Sequence, residues 1–309
     1  MEYRTLGKTD LEVSIISFGA APLGSEYRKT DESEGISAVH TALDLGVNFI
    51  DTSPYYGRTE SEIVLGKALG TVNRNQYYLA TKVGRYDLQN FDFTANCVIE
   101  SVDQSLTRLN TDYIDLIQCH DIEFVDLNII VNETIPALRK AQKQGKVRFI
   151  GITGLPLKIF RYVLERTKVD TILSYCRYSL NDVSLEGLIP TLEDKNIGII
   201  SASPLSMQLL TNKGAPSWHP ANKKIKSACM KAAEHCRNKN TDISELSLQF
   251  SLANSKIHTT LMGTANPTNV KKNIACVGRN PNTQLLSEVL EILDPIRNKT
   301  WISGRLENN

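Results

Sequence analysis

The chain has no stretch of about 18 consecutive apolar residues, the length a membrane-crossing helix requires. Its first ten residues, MEYRTLGKTD, are polar where a secretory leader needs an apolar run. A large excess of either charge is also missing: 35 Lys and Arg stand against 34 Asp and Glu, a formal net charge of +1. That balance supplies no field to gather nucleic acid or an anionic membrane. The six cysteines (97, 119, 176, 229, 236 and 276) form no C-x-x-C pair, and the five histidines (40, 120, 219, 235 and 258) form no H-x-H or H-E-x-x-H pairing. No redox motif, zinc clip or metallohydrolase site is therefore expected. Neither G-x-G-x-x-G after a strand nor G-x-x-x-x-G-K-[ST] occurs, which argues against a doubly wound dinucleotide fold and a P-loop. These absences point to a cytoplasmic protein with reduced thiols, a monomer or weak homo-oligomer that handles a small molecule, with no nucleic acid, membrane or metal partner.

What is present is an ordinary globular composition, 41% hydrophobic and 22% charged over 309 residues. Eight short β-branched runs recur along it, at 15–18, 47–50, 77–80, 113–117, 147–150, 169–173, 197–200 and 259–262. They are nearly continuous in apolar character, as burial on both faces of a parallel sheet requires. Helix-period segments lie between them: Ile36, Val39 and Leu43; Val98, Val102, Leu106 and Leu109; Ile135, Leu138 and Ala141. Asp31-x-x-Glu34, Thr59-x-x-Glu62 and Asp242-x-x-Glu245 have the form of capping boxes. Gly46, Gly70 and Gly145 stand where a helix would end in a left-handed residue. Eight repeated β-then-α units imply an α/β fold, a closed (β/α)8 TIM barrel occupying residues 1–309 as one domain. Alternation around a turn at residues 7–10 predicts an N-terminal β-hairpin. The C-terminal tail and the elaborated loop at 213–220 are expected over the active face.

In such a barrel the loops after the strands' carboxyl ends form the active face. Asp51 follows the second run, Tyr56 lies in the next loop, Lys82 follows the third run and His120 the fourth. Singly, each is an unremarkable surface or packing residue; at one rim, all four would share a pocket. A phenol of ordinary pKa about 10 is a poor base at neutral pH, and an adjacent ammonium favours its phenolate. Asp51 would hold Lys82 charged and aimed, and His120 could donate a hydrogen bond to a substrate oxygen. A different chemistry also fits a strand-end lysine: Lys82 could form a Schiff base with a carbonyl substrate, as in lyases.

Three segments carry a resemblance. They are Phe49-Ile50-Asp51-Thr52-Ser53-Pro54-Tyr55-Tyr56-Gly57 followed by Glu60 to Gly66, then Ala80-Thr81-Lys82, and Leu106-x-x-Leu109-x-x-Asp112-Tyr113-Ile114-Asp115-Leu116 ending at His120. Together they resemble the signatures of the aldo-keto reductases, nicotinamide-dependent (β/α)8 barrels, over nearly the whole chain. The resemblance implies Tyr56 as acid/base, with Asp51, Lys82 and His120 in the roles given above. Phe18–Gly24, His120–Phe124, Gly151–Pro156, Ser174–Tyr178 and Ser201–Leu205 are similar to the family's branch that oxidises the ring hemiacetal of L-galactose at C1 to a lactone on the route to ascorbate. Aldose dehydrogenases for L-fucose or D-threo-aldoses and pyridoxal dehydrogenases share much of that pattern, and some barrels of the family serve as cofactor-sensing subunits.

Carried over residue by residue, the resemblance implies a cofactor site built from Gly19, Ala20, Thr153, Tyr175, Tyr178, Ser203, Pro204, Leu205, Gly263, Thr264, Asn269 and Asn273. Thr153-Gly154 and Tyr175 replace the usual Ser-Asn and Gln around the nicotinamide amide. Ala202 replaces a stacking aromatic, for which Tyr178 or Tyr175 could compensate. Gly263 and Asn269 stand where members that prefer NADP carry Lys and Arg, so NAD is expected, with NADP possible because Lys271 and Lys272 are near. Asp121, after His120, replaces a large aromatic and suits sugar hydroxyls. Tyr55, Arg85 and Glu123 are expected to add to a polar substrate rim around a small sugar or aldehyde, and Trp218 and Trp301 lie in segments that could close over it.

Overall fold

The computed structural model describes residues 1–25 and 29–309. Two short strands, β1 (Tyr3–Thr5) and β2 (Glu12–Ser14), form an antiparallel hairpin. Eight parallel strands then close a barrel: β3 (Ile16–Gly19), β4 (Phe49–Asp51), β5 (Tyr78–Val83), β6 (Ile114–Cys119), β7 (Val147–Gly154), β8 (Thr171–Tyr175), β9 (Gly198–Ala202) and β10 (Thr259–Gly263), which pairs with β3. Each of the eight apolar runs becomes one of these strands, and the N-terminal hairpin is where the alternation places it.

The barrel axis is filled by Phe49, Ala80, Leu116, Leu173, Ile200 and Leu261. Leu6, Leu11 and Val13 of the hairpin pack beneath them with no exposed surface, so the hairpin plugs the amino-terminal end. Each such side chain contributes about 1.5–3 kcal/mol when removed from water. The alternate strand residues, such as Ile50, Leu79, Ile117 and Ile152, turn outward against the surrounding helices.

Helices follow the strands because the intervening segments are amphipathic at helical period. Val98, Val102 and Leu109 of the helix Ala95–Leu109 are buried, as are Ile135, Leu138 and Ala141 of Ile135–Lys143. The Asp31 side chain accepts from the Glu34 backbone N–H at the start of Glu32–Asp44, and Asp242 caps Ile243–Leu252 by accepting from Ser244. Two local expectations fail. Thr59 has a left-handed backbone, φ +80°, and makes no side-chain cap, because the turn at 55–59 that presents Tyr56 fixes its conformation. Gly70 ends its helix at φ −59°, an ordinary right-handed conformation, whereas Gly46 and Gly145 are left-handed as expected. Two further helices, Lys223–Asn238 and Thr283–Leu293, bury Ile225, Cys229, Val289 and Leu293 against each other in a separate apolar cluster. All six cysteines are free thiols, five of them buried and Cys97 half-buried. Among the described residues, no helix is long and apolar enough to cross a membrane.

Candidate active site

The parallel register sets the height of each functional side chain at the carboxyl end of the barrel. Asp51, the last residue of β4, is level with Gly19 and Ala80, while Lys82 on β5 is level with Gln118 on β6. Lys82 is 1% exposed and Asp51 2%. A buried ammonium is tolerated only with paired and hydrogen-bonded neighbours, and Lys82 has three. Its Nζ lies 2.5 Å from Asp51 Oδ1, 2.7 Å from the Thr52 carbonyl and 3.2 Å from the Tyr56 hydroxyl. Gln118 Nε2 donates to the other Asp51 oxygen at 2.7 Å. Burial pushes the Asp51 carboxyl above its ordinary range, with the Lys82 ammonium and the Gln118 amide opposing that shift.

His120, immediately after β6, completes the group with its ring centroid 5.5 Å from that of Tyr56 and edge-on to it. Burial, reinforced by the Lys82 and Arg85 charges, holds His120 well below the usual histidine range, so the imidazole is neutral. Its Nδ1 lies 2.9 Å from Ser53 Oγ, which already accepts from the Tyr55 backbone N–H at 3.1 Å. The serine hydrogen can go to Nδ1, and the Asp121 carboxylate 3.7 Å from Nε2 favours the ring proton on that nitrogen, from which it can donate. The four residues picked from the sequence are therefore brought together. Gln118, Ser53 and the Thr52 carbonyl were missed; an inward β6 position two residues before His120 was the available signal for Gln118.

Beside this group runs a groove of about 510 Å³ that reaches Asp51 and Tyr56. Of the residues implied for the cofactor, Gly19, Ser203, Pro204 and Leu205 line it, as do Gly263, Thr264, Asn269 and Asn273. A nicotinamide dinucleotide needs hydroxyl, amide and backbone N–H donors for its phosphates and riboses, and apolar walls for its rings. The groove fits: Gly263 leaves open space with no atom nearer than 3.8 Å to the place of a Cβ. Ser203, Ser206, Met207 and Gln208 have left-handed backbones that turn the loop after β9 into a concave rim. Leu248 and Met262 supply apolar wall. Lys213 and Trp218 line the groove as well. The charge of Lys213 was not singled out beforehand.

Four of the implied residues lie elsewhere. Ala20 is fully buried and donates its N–H to the Asp51 carbonyl. Tyr178 is 5% exposed and stacked on Phe250 in the apolar core between barrel and helices, so it is a packing residue and leaves the groove without that ring. Thr153 is engaged by Asp121: its hydroxyl accepts from the Asp121 backbone N–H at 2.8 Å and donates to Asp121 Oδ1 at 3.2 Å. The Tyr175 hydroxyl donates to Glu123 at 3.0 Å.

On the far side of His120, Asp121 Oδ2 is 3.7 Å from His120 Nε2 and salt-bridged to Arg85. The Arg85 guanidinium lies 4.0 Å above the Tyr55 ring, which is itself edge-on to His120. These three form one wall at the mouth. Glu123 does not join them on an open rim. It has no exposed surface, and its carboxyl faces the C-terminal tail. Trp301 packs edge-on against His219, whose ring also lies against Trp218, so the two tryptophans meet through that histidine.

The closed barrel, the buried carboxylate–ammonium–phenol line and the adjoining groove are those of an oxidoreductase acting on CH–OH groups. The family model for the aldo/keto reductase family matches residues 15–294, and the chain belongs to that family, whose members use NAD(P). It is 50% identical over its whole length to L-galactose dehydrogenase of Arabidopsis thaliana, covering 99% of that protein. It is 33% identical to D-arabinose 1-dehydrogenase of Saccharomyces cerevisiae, over 78% of this chain and 76% of the yeast protein. Among solved structures, an aldo-keto reductase from Bacillus halodurans in its holo form superposes with a TM-score of 0.81 at 28% identity, covering 98% of both chains.

Proposed function

We propose that this enzyme oxidises the ring hemiacetal of an aldose of L-galactose-like stereochemistry at C1 to the lactone, with NAD as its preferred cofactor. The observation that carries the reading is the Tyr56 hydroxyl 3.2 Å from the buried Lys82 ammonium at the barrel mouth. A nicotinamide dinucleotide held along Gly19, Ser203–Leu205, Gly263, Thr264, Asn269 and Asn273 would supply the acceptor for the hydride from C1. Tyr56 takes the C1 hydroxyl proton; the Lys82 ammonium stabilises the phenolate that must precede this. Asp51, fixed by Gln118, keeps Lys82 aimed at the phenol. Neutral His120 donates from Nε2 to the same substrate oxygen and orients it without changing charge.

Asp121, with Arg85 as its counter-ion and Tyr55 beneath, offers an acceptor and a donor for neighbouring ring hydroxyls, which supports a polyol over a simple aldehyde. The preference for NAD rests on the groove wall: Gly263 and Asn269 carry no charge, and Lys272 is held by Asp242 at 2.9 Å, away from the groove lining. A Schiff-base lyase is disfavoured because the Lys82 amine is held in three directions by Asp51, Thr52 and Tyr56. The whole 309-residue chain is taken as one catalytic domain. Incubation with a panel of L- and D-aldoses and either nucleotide, following reduced nicotinamide, tests the reading. Turnover is expected with L-galactose and NAD; turnover confined to D-arabinose-type or D-threo-aldoses would reassign the sugar, and none on any aldose would overturn the proposal.

A further inference from the structure

The C-terminal tail ends on the loop that carries His120 and Asp121, and the contact is made almost wholly through one residue. Glu123 Oε1 accepts from the Tyr175 hydroxyl at 3.0 Å, the Ser303 hydroxyl at 3.0 Å and the Leu155 backbone N–H at 3.2 Å. Its main-chain carbonyl accepts from the Arg305 N–H and from Asn308 Nδ2, each at 2.9 Å. The same Asn308 amide also donates to the Val125 carbonyl at 2.9 Å. Gly304 passes so close that a Cβ there would stand 2.3 Å from the Glu123 carbonyl oxygen. Glu123 Oε2 is buried without a hydrogen-bond partner, against Gly154. A buried, unpaired carboxylate oxygen is costly, whereas a protonated oxygen there leaves Oε1 to accept every bond that is present.

We propose that Glu123 is a positioning residue: its carboxyl and carbonyl clamp the tail 303–309, β7 and β8 onto the loop 120–125, and thereby fix Asp121 and His120 at the substrate side of the mouth. The clamp holds its proton. Burial and the nearby Asp121 charge push Glu123 up to about 8. The charged and titratable groups around it are Asp121 on its own loop, Tyr175 on β8, and Arg85, which is bound to Asp121. From the tail, the Arg305 guanidinium turns away to Glu307, and next to Leu155 the Arg177 guanidinium binds the Leu155 carbonyl and Asp182. No cation pairs with the Glu123 carboxyl among the described residues.

The sign of the pH dependence follows. In the opened clamp the carboxyl ionises in its ordinary range near 4.3, whereas in the closed clamp it does so only at about 8. Opening therefore releases a proton and becomes more favourable by about tenfold per pH unit between those limits, levelling off above the upper one.

The test uses the full-length enzyme and hydrogen exchange of the Arg305 and Asn308 amides, corrected for intrinsic rates, between about pH 5 and pH 9. The opening constant is expected to rise about tenfold per unit up to about pH 8 in the native protein and to stay flat in Glu123→Gln, which keeps the shape and acceptor but cannot ionise. Equal pH dependence in the two proteins, or a tail already unprotected near pH 5, would overturn the inference. A kinetic arm rests on the proposed aldose oxidation: Asn308→Ala is expected to raise KM for L-galactose about fivefold and to leave kcat within about twofold, because Asp51 and Lys82 stand on other strands, Tyr56 on the turn after β4, and His120 keeps its bonds to Ser53 and the Val83 carbonyl. An unchanged KM contradicts the clamp's role in substrate positioning. Absence of any turnover, with the exchange result intact, fails the functional reading alone.

Discussion

The two ends of this barrel solve opposite problems. At the amino-terminal end, Leu6, Leu11 and Val13 close the cylinder with aliphatic side chains that need only fill space. At the carboxyl end, Asp51, Lys82 and Gln118 on the barrel strands and His120 just after β6 are almost as deeply buried. There each polar atom requires a named partner. The lower end can exchange one aliphatic group for another at modest cost. The upper end cannot lose a partner without leaving a buried charge, and that fixed arrangement holds an ammonium against a phenol.

Substitutions that cross this divide should separate stability from chemistry. The largest effect is expected from Lys82→Met, which leaves Asp51 buried and without its cation: kcat falls about 10²- to 10⁴-fold and stability by about 3–5 kcal/mol, measured by turnover and urea denaturation. Leu11→Ala at the opposite end should cost about 2–5 kcal/mol of stability and leave kcat unchanged below the melting transition. A large loss of kcat there would break the division of labour. Ser53→Ala removes the partner of His120 Nδ1 and is expected to lower kcat about tenfold with little change in denaturation midpoint.

His120 offers a pH test. Its folded-state pKa lies well below that of the unfolded chain, so the contribution to stability is complete above the unfolded value near 6.5 and is lost as pH falls toward the folded value. Imidazole carbon shifts in NMR should stay those of the neutral ring through about pH 6, and His120→Asn should show a shallower loss of stability in acid. The smallest effect is expected at Lys213: replacement by Ala should raise KM for NAD about two- to threefold, reading its contribution as a partly screened cation on the groove wall.

Much of the frame was legible in the chain. Continuous apolar runs such as 113–117 and 197–200 could be strands only if both faces were covered, which is the barrel's condition. The residues at strand ends could be listed because the architecture sends them to one rim. What was not legible was set by the turn after β4 and by partners distant in sequence. Thr59 fits a capping box by spacing, but the turn presenting Tyr56 overrides it. Tyr178 lies near the groove in sequence, yet Phe250 draws its ring into the core. Glu123 reads as a rim residue until Ser303, 180 positions later, is placed on its carboxyl. Hydrophobic periodicity is local information; the last two outcomes depend on contacts that close only when the barrel does.

The central claim is that the Tyr56 phenol, made acidic by the Lys82 ammonium, is the base that removes the hemiacetal proton. Initial rates of nicotinamide reduction with L-galactose and NAD, compared between the native enzyme and a folded Tyr56→Phe variant, test it most directly. Turnover should drop by about 10²- to 10⁴-fold in the variant with KM little altered. A variant that turns over at the native rate would contradict it.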